Sequence, residues 1–308
     1  MTPTLHTLTG NLLGERTFTF DAWEAGRTQR AREQFFQVGG KGLNVARMLV
    51  RLGARTSALC FPGGATGTEC LEWLRARGVD VQAFPMAAPT RAGLVVRGPG
   101  HPETTFLGPD APIEAAAAKA CARHLDAQPA GDVLAICGSV PGWSGADCEA
   151  LRAAIESWLR RGPVVADSYG PPLDWLVQRP LAWVKINRVE FDGLFPPGDR
   201  DRPLADRLAG ALDRWPVSAW IVTDGSRPLW YVERGGPPRR LDPPEIAEVS
   251  ATGSGDVLHA VLLYAIFWQA QPISRALELA LPYAAANAAH PSVADFPLNN
   301  LPSLRSTA

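Results

Sequence analysis

Short apolar segments alternate with longer helical segments through most of this chain, most regularly between residues 112 and 289. Segments such as Val133–Cys137 and Ala219–Thr223 have the length and the apolar composition of buried strands. Short apolar strands that alternate with helices are typical of a mainly parallel sheet that helices cover on both faces. We therefore predict an α/β fold with a helix, sheet and helix arrangement in three layers.

The helical and extended segments follow from the spacing of apolar residues and from the glycines that end them. The predicted helices are Leu43–Leu52, Thr68–Arg77, 112–126, 144–161, 171–178, 202–214, 255–270 and 273–289. The predicted strands of the main sheet are one that begins at residue 4, then Thr56–Phe61, Val79–Phe84, Val133–Cys137, Val164–Ala166, Trp183–Ile186 and Ala219–Thr223, with a hairpin at Leu229–Leu241.

Two strand-rich pieces of the chain do not fit this alternation. They cover about residues 14–38 and 90–108, and the second contains a predicted hairpin. We predict that these pieces form a small separate β-sheet, a lid over one edge of the main sheet. With no repeats and no low-complexity linker, residues 1–308 are predicted to form a single domain.

The charge balance excludes several classes of function. The 308 residues carry a formal net charge of −1 and the basic residues are spread out, which argues against general binding to nucleic acid or to a membrane surface. No apolar run reaches the ~18 residues of a membrane helix, and residues 1–11 lack the features of a signal peptide. The five cysteines are scattered without CxxC spacing. We expect a cytoplasmic protein.

The segment Val249–Asp256 is a glycine-broken turn that leads into a strongly apolar helix. Glycine lets the backbone turn so that several N–H groups point the same way, and the first N–H groups of a helix have no intrahelical partners. Together with the helix dipole, these groups make an anion site. A carboxylate beside a phosphate is unusual unless Asp256 is a base that faces the attacking hydroxyl. The alternative is a helix-capping aspartate after a glycine-rich loop.

A second glycine-rich turn, Gly39–Arg47, also leads from a strand into a helix. It has neither the dinucleotide-binding nor the P-loop spacing. Lys41 could hold a ligand anion, and Asn44 could donate to and accept from vicinal hydroxyls. The alternative is a plain helix start.

A third segment, Lys185–Glu190, follows a buried strand. Asn187 and Glu190 are three residues apart, and an amide with a carboxylate suits magnesium held through water. The alternative is a capping box, with Asn187 as the cap and Glu190 at the third helical position.

Other observations concern where chemistry lies in the fold. Of only three lysines, Lys41 and Lys185 lie inside these motifs, whereas Lys119 lies on an alanine-rich helix. Three further loops, 138–142, 167–170 and 223–226, follow predicted strands. In parallel sheets, ligands bind outside the carboxyl ends of the strands. The common location of these loops therefore predicts a single ligand site.

Taken together, Gly39–Arg47, Lys185–Glu190 and Thr252–Asp256 resemble, in this order, the signatures of the PfkB (ribokinase-like) carbohydrate kinase family. The similarity runs across essentially the whole chain. The first signature and the Ser-Ala-Thr lead-in to Gly253 are most similar to the hexose-phosphate branch, typified by 1-phosphofructokinase and tagatose-6-phosphate kinase. The resemblance implies a ribokinase-like fold, ATP and Mg²⁺.

Three departures from the branch are visible. Glu15 stands where the branch has aspartate, Ala92-Gly93 follows Arg91 where the branch has an asparagine two residues on, and Ser254 stands where alanine is usual. The first two departures concern the sugar side. The resemblance therefore supports ATP chemistry better than it supports the identity of the substrate.

The resemblance also implies a role for each matching residue. Asp256 would be the base, with the backbone N–H groups of Gly253, Ser254 and Gly255 around the transferring phosphoryl. The sugar would contact Glu15, Gly40, Lys41, Asn44, Arg91 and Ser139. Arg91 would contact the substrate phosphate, with Arg27 and Arg30 on the lid as further contacts to it. The nucleotide would contact Lys185, Asn187, Thr223, Gly225 and Asn287, and Mg²⁺ would be held through water by Asn187 and Glu190.

The expected reaction is phosphoryl transfer from ATP to a hydroxyl of a phosphorylated hexose, with fructose 1-phosphate as the leading substrate. One alternative is a kinase of an unphosphorylated sugar or a nucleoside, which would use the same catalytic residues. Another is a sugar or nucleotide sensor that has lost its activity, although a pure binder would not need Asp256. A homodimer through the lid is a further expectation.

Overall fold

The computed structural model describes residues 2–304, and for His101 and Pro102 it describes the backbone alone. Within this range the strands are β1 (Leu5–Thr9), β2 (Leu13–Thr19), β3 (Glu33–Gly39), β4 (Thr56–Cys60), β5 (Val81–Ala83), β6 (Arg91–Gly98), β7 (His101–Leu107), β8 (Val133–Gly138), β9 (Val164–Ser168), β10 (Trp183–Asn187), β11 (Ala219–Asp224), β12 (Arg227–Glu233) and β13 (Arg239–Leu241). The helices are α1 (Lys41–Arg51), α2 (Gly64–Arg75), α3 (Ala115–Asp126), α4 (Glu149–Leu159), α5 (Pro171–Leu176), α6 (Arg188–Gly193), α7 (Leu204–Arg214), α8 (Ser254–Phe267) and α9 (Ile273–Ala288).

Nine of the strands described in residues 2–304 form one large sheet, in the order β13-β12-β11-β10-β9-β8-β1-β4-β5. Neighbours from β11 to β5 pair in parallel, whereas β12 and β13 are antiparallel to their neighbours. This confirms the predicted mainly parallel sheet. The carboxyl ends of β1, β8, β9, β10 and β11 therefore lie along one edge.

Helices cover both faces of the large sheet, and β8 shows this residue by residue. Leu134 and Ile136 pack into a core with α3 and α4, whereas Ala135 and Cys137 pack into a second core with α8 and α9. Side chains of a strand alternate between its two faces, so a strand that is apolar at every position is buried on both. The predicted three layers are confirmed.

The remaining four strands in the described range form a small separate sheet, in the order β3-β2-β6-β7. Strands β2 and β6 pair in parallel, and the outer pairs are antiparallel. The predicted small sheet is confirmed, and its strands come from the two pieces predicted for it. Its closing motion as a lid stays a prediction. So does the single domain over residues 1–308, of which Met1 and residues 305–308 lie outside the described part of the chain.

Helix α2 begins four residues before the predicted start at Thr68, because glycines there serve close packing. A Cβ on Gly63, the cap of this helix, would lie 1.9 Å from the carbonyl oxygen of Ala88. A Cβ on Gly67 would lie 2.8 Å from Thr90 Oγ1. The glycine-rich stretch therefore lets the helix start pass against the segment that leads into β6, where sequence alone suggests a loop.

None of the helices described in residues 2–304 combines the length and the apolar composition that crossing a membrane requires.

Candidate active site

The turn before α8 has the shape of an anion site. Gly253 caps the helix in the left-handed region (φ +76°), and a Cβ there would lie 2.2 Å from Val293 Cγ1. A Cβ on Gly255 would lie 2.8 Å from Lys185 Nζ, so the ammonium group sits directly beside the turn. Amide groups of the first helical turn and this ammonium group together favour a phosphate. The N–H of Ser254 donates to Ala251 O at 3.2 Å, and its predicted contact with the transferring phosphoryl stays a prediction.

Asn287, predicted to contact the nucleotide, lies beneath this turn and is 1% exposed. Its Nδ2 donates to Thr252 O at 2.9 Å and to Ser254 Oγ at 3.0 Å. Its Oδ1 accepts from the N–H of Ala294 at 2.8 Å. These three bonds use the side chain to hold the turn in place. A direct contact with a nucleotide stays a prediction.

Asp256 is 6% exposed and opens into a cavity. Asn44 Nδ2 donates to its Oδ2 at 2.8 Å, so the first glycine-rich segment reaches the second. Burial, followed by the negative charge of Asp167, raises the pKa of Asp256 to about 6. Lys41, Lys185 and the Asn44 bond act in the opposite direction. A carboxylate with such a pKa is ionised at neutral pH and is still a competent proton acceptor.

Asp167 joins the two motif lysines. Sequence analysis placed its segment, 167–170, at the predicted ligand site but gave this residue no role. Lys185 Nζ lies 2.6 Å from Asp167 Oδ2, and Lys41 Nζ lies 2.9 Å from Asp167 Oδ1. The carboxylate is fully buried at the end of β9. Burial alone would raise the pKa of Asp167, but the two ammonium groups outweigh it and hold this pKa well below its usual range. The signal in the sequence was the position of both lysines inside motifs.

Asn187 and Glu190 form the capping box that sequence analysis gave as the alternative to a metal site. Asn187 Oδ1 accepts from the N–H of Glu190, and Glu190 Oε2 accepts from the N–H of Asn187, both at 2.9 Å. Glu190 Oε1 also lies 3.1 Å from Lys41 Nζ. Within the described residues, no three His, Cys, Asp or Glu side chains are grouped to hold a metal directly. The further lone pairs of the carboxylate oxygens still suit magnesium through water.

A cavity of about 360 Å³ lies between the large and the small sheet. All six residues predicted to bind the sugar line it together with Asp256: Glu15, Gly40, Lys41, Asn44, Arg91 and Ser139. Asn11, Tyr169, Thr252 and Val293, which sequence analysis did not assign, also line it. Arg27 and Arg30 do not line it, and Arg27 is exposed and paired with Glu24.

Polar side chains at the rim of the cavity are hydrogen-bonded to one another. Arg91 Nη1 donates to Asp110 Oδ1 at 2.9 Å, and Asn11 Nδ2 donates to the same oxygen at 2.9 Å. Asn11 Nδ2 also lies 3.1 Å from Ser139 Oγ, which accepts from Tyr169 OH at 3.2 Å. On the small sheet, Gln37 Nε2 donates to Glu15 Oε1.

The residues predicted for the nucleotide lie outside this cavity, along the same edge of the large sheet. Thr223 is the register partner of Asn187 on the neighbouring strand. Gly225 forms the exposed turn between β11 and β12, in the left-handed region (φ +62°). Lys185 lies between this side and the cavity. It is next to Gly255, and it shares Asp167 with Lys41, which lines the cavity.

Known proteins resemble this chain in sequence and in fold. The chain is 27% identical over 285 residues to a 1-phosphofructokinase of Xanthomonas campestris pv. campestris, which covers 90% of this chain and 88% of the relative. It shares the fold of phosphofructokinase-2 from Escherichia coli in complex with fructose-6-phosphate (TM-score 0.82, 21% identity, 94% of each chain). It also shares the fold of ribokinase from Thermotoga maritima (TM-score 0.72, 16% identity, 94% of each chain). The family model described as "pfkB family carbohydrate kinase" matches residues 12–300. The chain therefore belongs to the pfkB family of carbohydrate kinases.

Proposed function

We propose that this ATP-dependent sugar kinase transfers a phosphoryl group to a hydroxyl of a phosphorylated hexose, with fructose 1-phosphate as the first candidate. One observation carries the proposal. The six predicted sugar-binding residues and the predicted base line a single cavity beside an anion-binding turn. The 1-phosphofructokinase relative supports the choice of candidate.

Asp256 is the proposed base. It accepts the proton of the attacking hydroxyl, and Asn44 orients it through the bond to Oδ2. The free Oδ1 of Asn44 is buried without a partner and suits a sugar hydroxyl donor. Burial keeps water away from the carboxylate, which favours transfer to the sugar over transfer to water.

The transferring phosphoryl is proposed to lie against the turn at Gly253 and Gly255. Amide groups there and the ammonium of Lys185 stabilise its developing charge. Asp167 fixes Lys185 and Lys41 on its two oxygens, so that both cations face the same site. Magnesium, when bound, would neutralise phosphate charge, with Asn187 and Glu190 as the residues that hold its water ligands.

A second candidate function, phosphorylation of a neutral sugar, is favoured by one observation. Lys41 and Arg91, the cationic side chains among the described lining residues, are both already paired with carboxylates. A neutral substrate would leave these pairs intact. The sensor alternative has weaker support, because Asp256 opens into the cavity and its turn is complete.

A homodimer through the small sheet completes the proposal. Phe106 on the edge strand β7 is 55% exposed. Exposed apolar groups on an edge strand favour association with a second chain. Sedimentation at increasing protein concentration tests this, and a monomer across the range would contradict it.

The deciding experiment for the function is an ADP-release assay with MgATP. The acceptors are fructose 1-phosphate, fructose 6-phosphate, tagatose 6-phosphate, fructose, ribose and adenosine. Turnover with one hexose phosphate supports the proposal and identifies the substrate. Turnover with a neutral acceptor alone supports the second candidate. If none of the six acceptors gives turnover while ATP binding is intact, both candidate functions are contradicted.

A further inference from the structure

Arg91, the proposed phosphate contact, is held in an ion pair with Asp110. The Arg91 side chain is 15% exposed, and its Nη1 lies 2.9 Å from Asp110 Oδ1. Asp110 follows β7 in the segment that returns to the large sheet, and its side chain is 50% exposed. The pair therefore lies at the rim of the cavity, where a substrate would pass.

Asp110 is fixed in place although it is half exposed. Its Oδ1 accepts from Asn11 Nδ2 as well as from Arg91, and Asn11 is connected to Ser139 on the large sheet. The carboxylate is thus fixed between the small sheet, which carries Arg91, and the large sheet. A carboxylate held by two donors keeps its charge beside the guanidinium group instead of turning into solvent.

The ion pair between Arg91 and Asp110 affects how a substrate phosphate would bind to Arg91. A phosphate dianion that approaches Arg91 is attracted by the guanidinium group and repelled by the carboxylate beside it. The Nε of Arg91 is buried and has no hydrogen-bond partner, so at least one donor remains for a ligand oxygen. The phosphate must share Arg91 with Asp110 or displace it. A neutral sugar meets no such competition.

We propose that Asp110 is a specificity-determining residue whose carboxylate competes with the substrate phosphate for Arg91. It sets how strongly the site prefers a phosphorylated sugar over its unphosphorylated parent. This inference rests on the proposed function, because it assumes that a sugar occupies the cavity and that Arg91 faces its phosphate. Asp110 acts through Arg91 and is therefore a positioning residue rather than a catalytic one.

The test is Asp110→Asn, which keeps an oxygen acceptor for Arg91 and Asn11 and removes only the charge. KM and kcat are measured with fructose 1-phosphate and with fructose. We expect KM for fructose 1-phosphate to fall about threefold to tenfold at low salt, by the usual size of one partly exposed charge. KM for fructose and kcat for both sugars should stay unchanged. The gain should shrink at high salt because the charges are screened.

The matched control is Glu156→Gln. Glu156 is likewise 50% exposed and pairs with Arg179 at 2.6 Å, but it lies on α4, outside the cavity. It should leave both KM values unchanged. A second step is Asp110→Asn in an Arg91→Ala background, where the competition is lost and only the smaller gain from relieved charge repulsion should remain.

Two results would overturn the inference when both sugars are substrates. One is an equal change, or no change, in KM for the two sugars. The other is a gain that persists in full without Arg91. The proposed function is judged separately, by wild-type turnover. If the wild type accepts only fructose, that function fails, but Asp110→Asn should still lower the inhibition constant of fructose 1-phosphate against fructose. An unchanged inhibition constant would overturn the inference as well.

Discussion

The two ends of the proposed site are built in different ways. The transfer end, made of Gly253–Asp256, Lys185 and Asp167, consists of a tight turn and of charges buried in the large sheet. The sugar end, made of Glu15, Arg91 and Asp110, consists of side chains on and beside the small sheet, and Asp110 is half exposed. One end depends on backbone shape and buried charge, and the other on single side chains. Changes at the transfer end should therefore cost stability or turnover, and changes at the sugar end should alter affinity alone, in either direction.

The largest effect is expected for Asp167→Asn, because it leaves two lysines without their shared buried carboxylate. Breaking a buried ion pair costs about 3–5 kcal/mol of unfolding free energy. Chemical denaturation measures this directly. Asp192→Asn is the comparison. Asp192 also forms ion pairs with two cations, Arg188 and Arg207, but it is partly exposed. An equal loss in both variants would contradict the special position of Asp167.

Asp256→Asn should lower kcat by about two decades or more, the usual size of base catalysis, with little change in ATP affinity. The free energy of unfolding at neutral pH, by contrast, should not fall. The folded pKa of about 6 lies above the ordinary value of 3.8, so the ionised carboxylate destabilises the folded state. We therefore expect a melting temperature no lower than that of the wild type. Near-normal turnover would remove Asp256 from the role of base.

Gly253→Ala should reduce turnover and cost about 1–3 kcal/mol of unfolding free energy, because the Cβ overlaps Val293 and the left-handed backbone disfavours alanine. Gly235→Ala separates the two causes. Gly235 is also left-handed (φ +87°), but a Cβ there would meet nothing within 4 Å. If the two variants lose equal stability, backbone strain alone explains the loss and the packing against Val293 does not contribute.

The pH profile of kcat/KM should bend near pH 6. As the pH falls through the pKa of Asp256, the base is protonated and activity is lost. Activity at pH 5 should be about tenfold below the plateau if this single group governs the profile. Stability has the opposite sign, since a raised carboxylate pKa means that protonation favours the folded state. A profile that stays flat down to pH 5 would contradict this assignment.

The smallest effect is expected at the sugar end. Arg91→Ala should raise KM for a phosphorylated sugar about tenfold, the size of one hydrogen bond to a charged group, and leave kcat and stability nearly unchanged. The unphosphorylated parent is the internal comparison. Equal losses with both sugars would count against a phosphate contact. A loss of stability in Arg91→Ala would also contradict the expectation that changes at the sugar end affect affinity alone.

The fold and the motif residues could be predicted because each carries a local signal. Apolar runs mark the strands, and glycines mark the turn at Gly253. No individual role could be predicted for Asp167, Asn11, Asp110 or Tyr169 in this way. The segment 167–170 is predicted to lie at the ligand site, but Asp167 and Tyr169 belong to no motif, and Asn11 and Asp110 lie in ordinary connections after strand ends. Asp167 is 126 residues from Lys41, and only the tertiary packing of the start of α1 against the end of β9 brings the two side chains together. Sequence spacing does not record such a meeting.

The same topology also limits when the contacts around the predicted base, Asp256, can assemble during synthesis. The Asn44–Asp256 bond joins positions 212 residues apart, and the turn beside it is held by Asn287 and Ala294, near the end of the described chain. A growing polypeptide on the ribosome therefore carries the first glycine-rich segment long before it can assemble the second. Contacts between such distant segments form late in folding. A nascent chain would remain unable to consume ATP until the segment up to Ala294 has been synthesised and has left the exit tunnel.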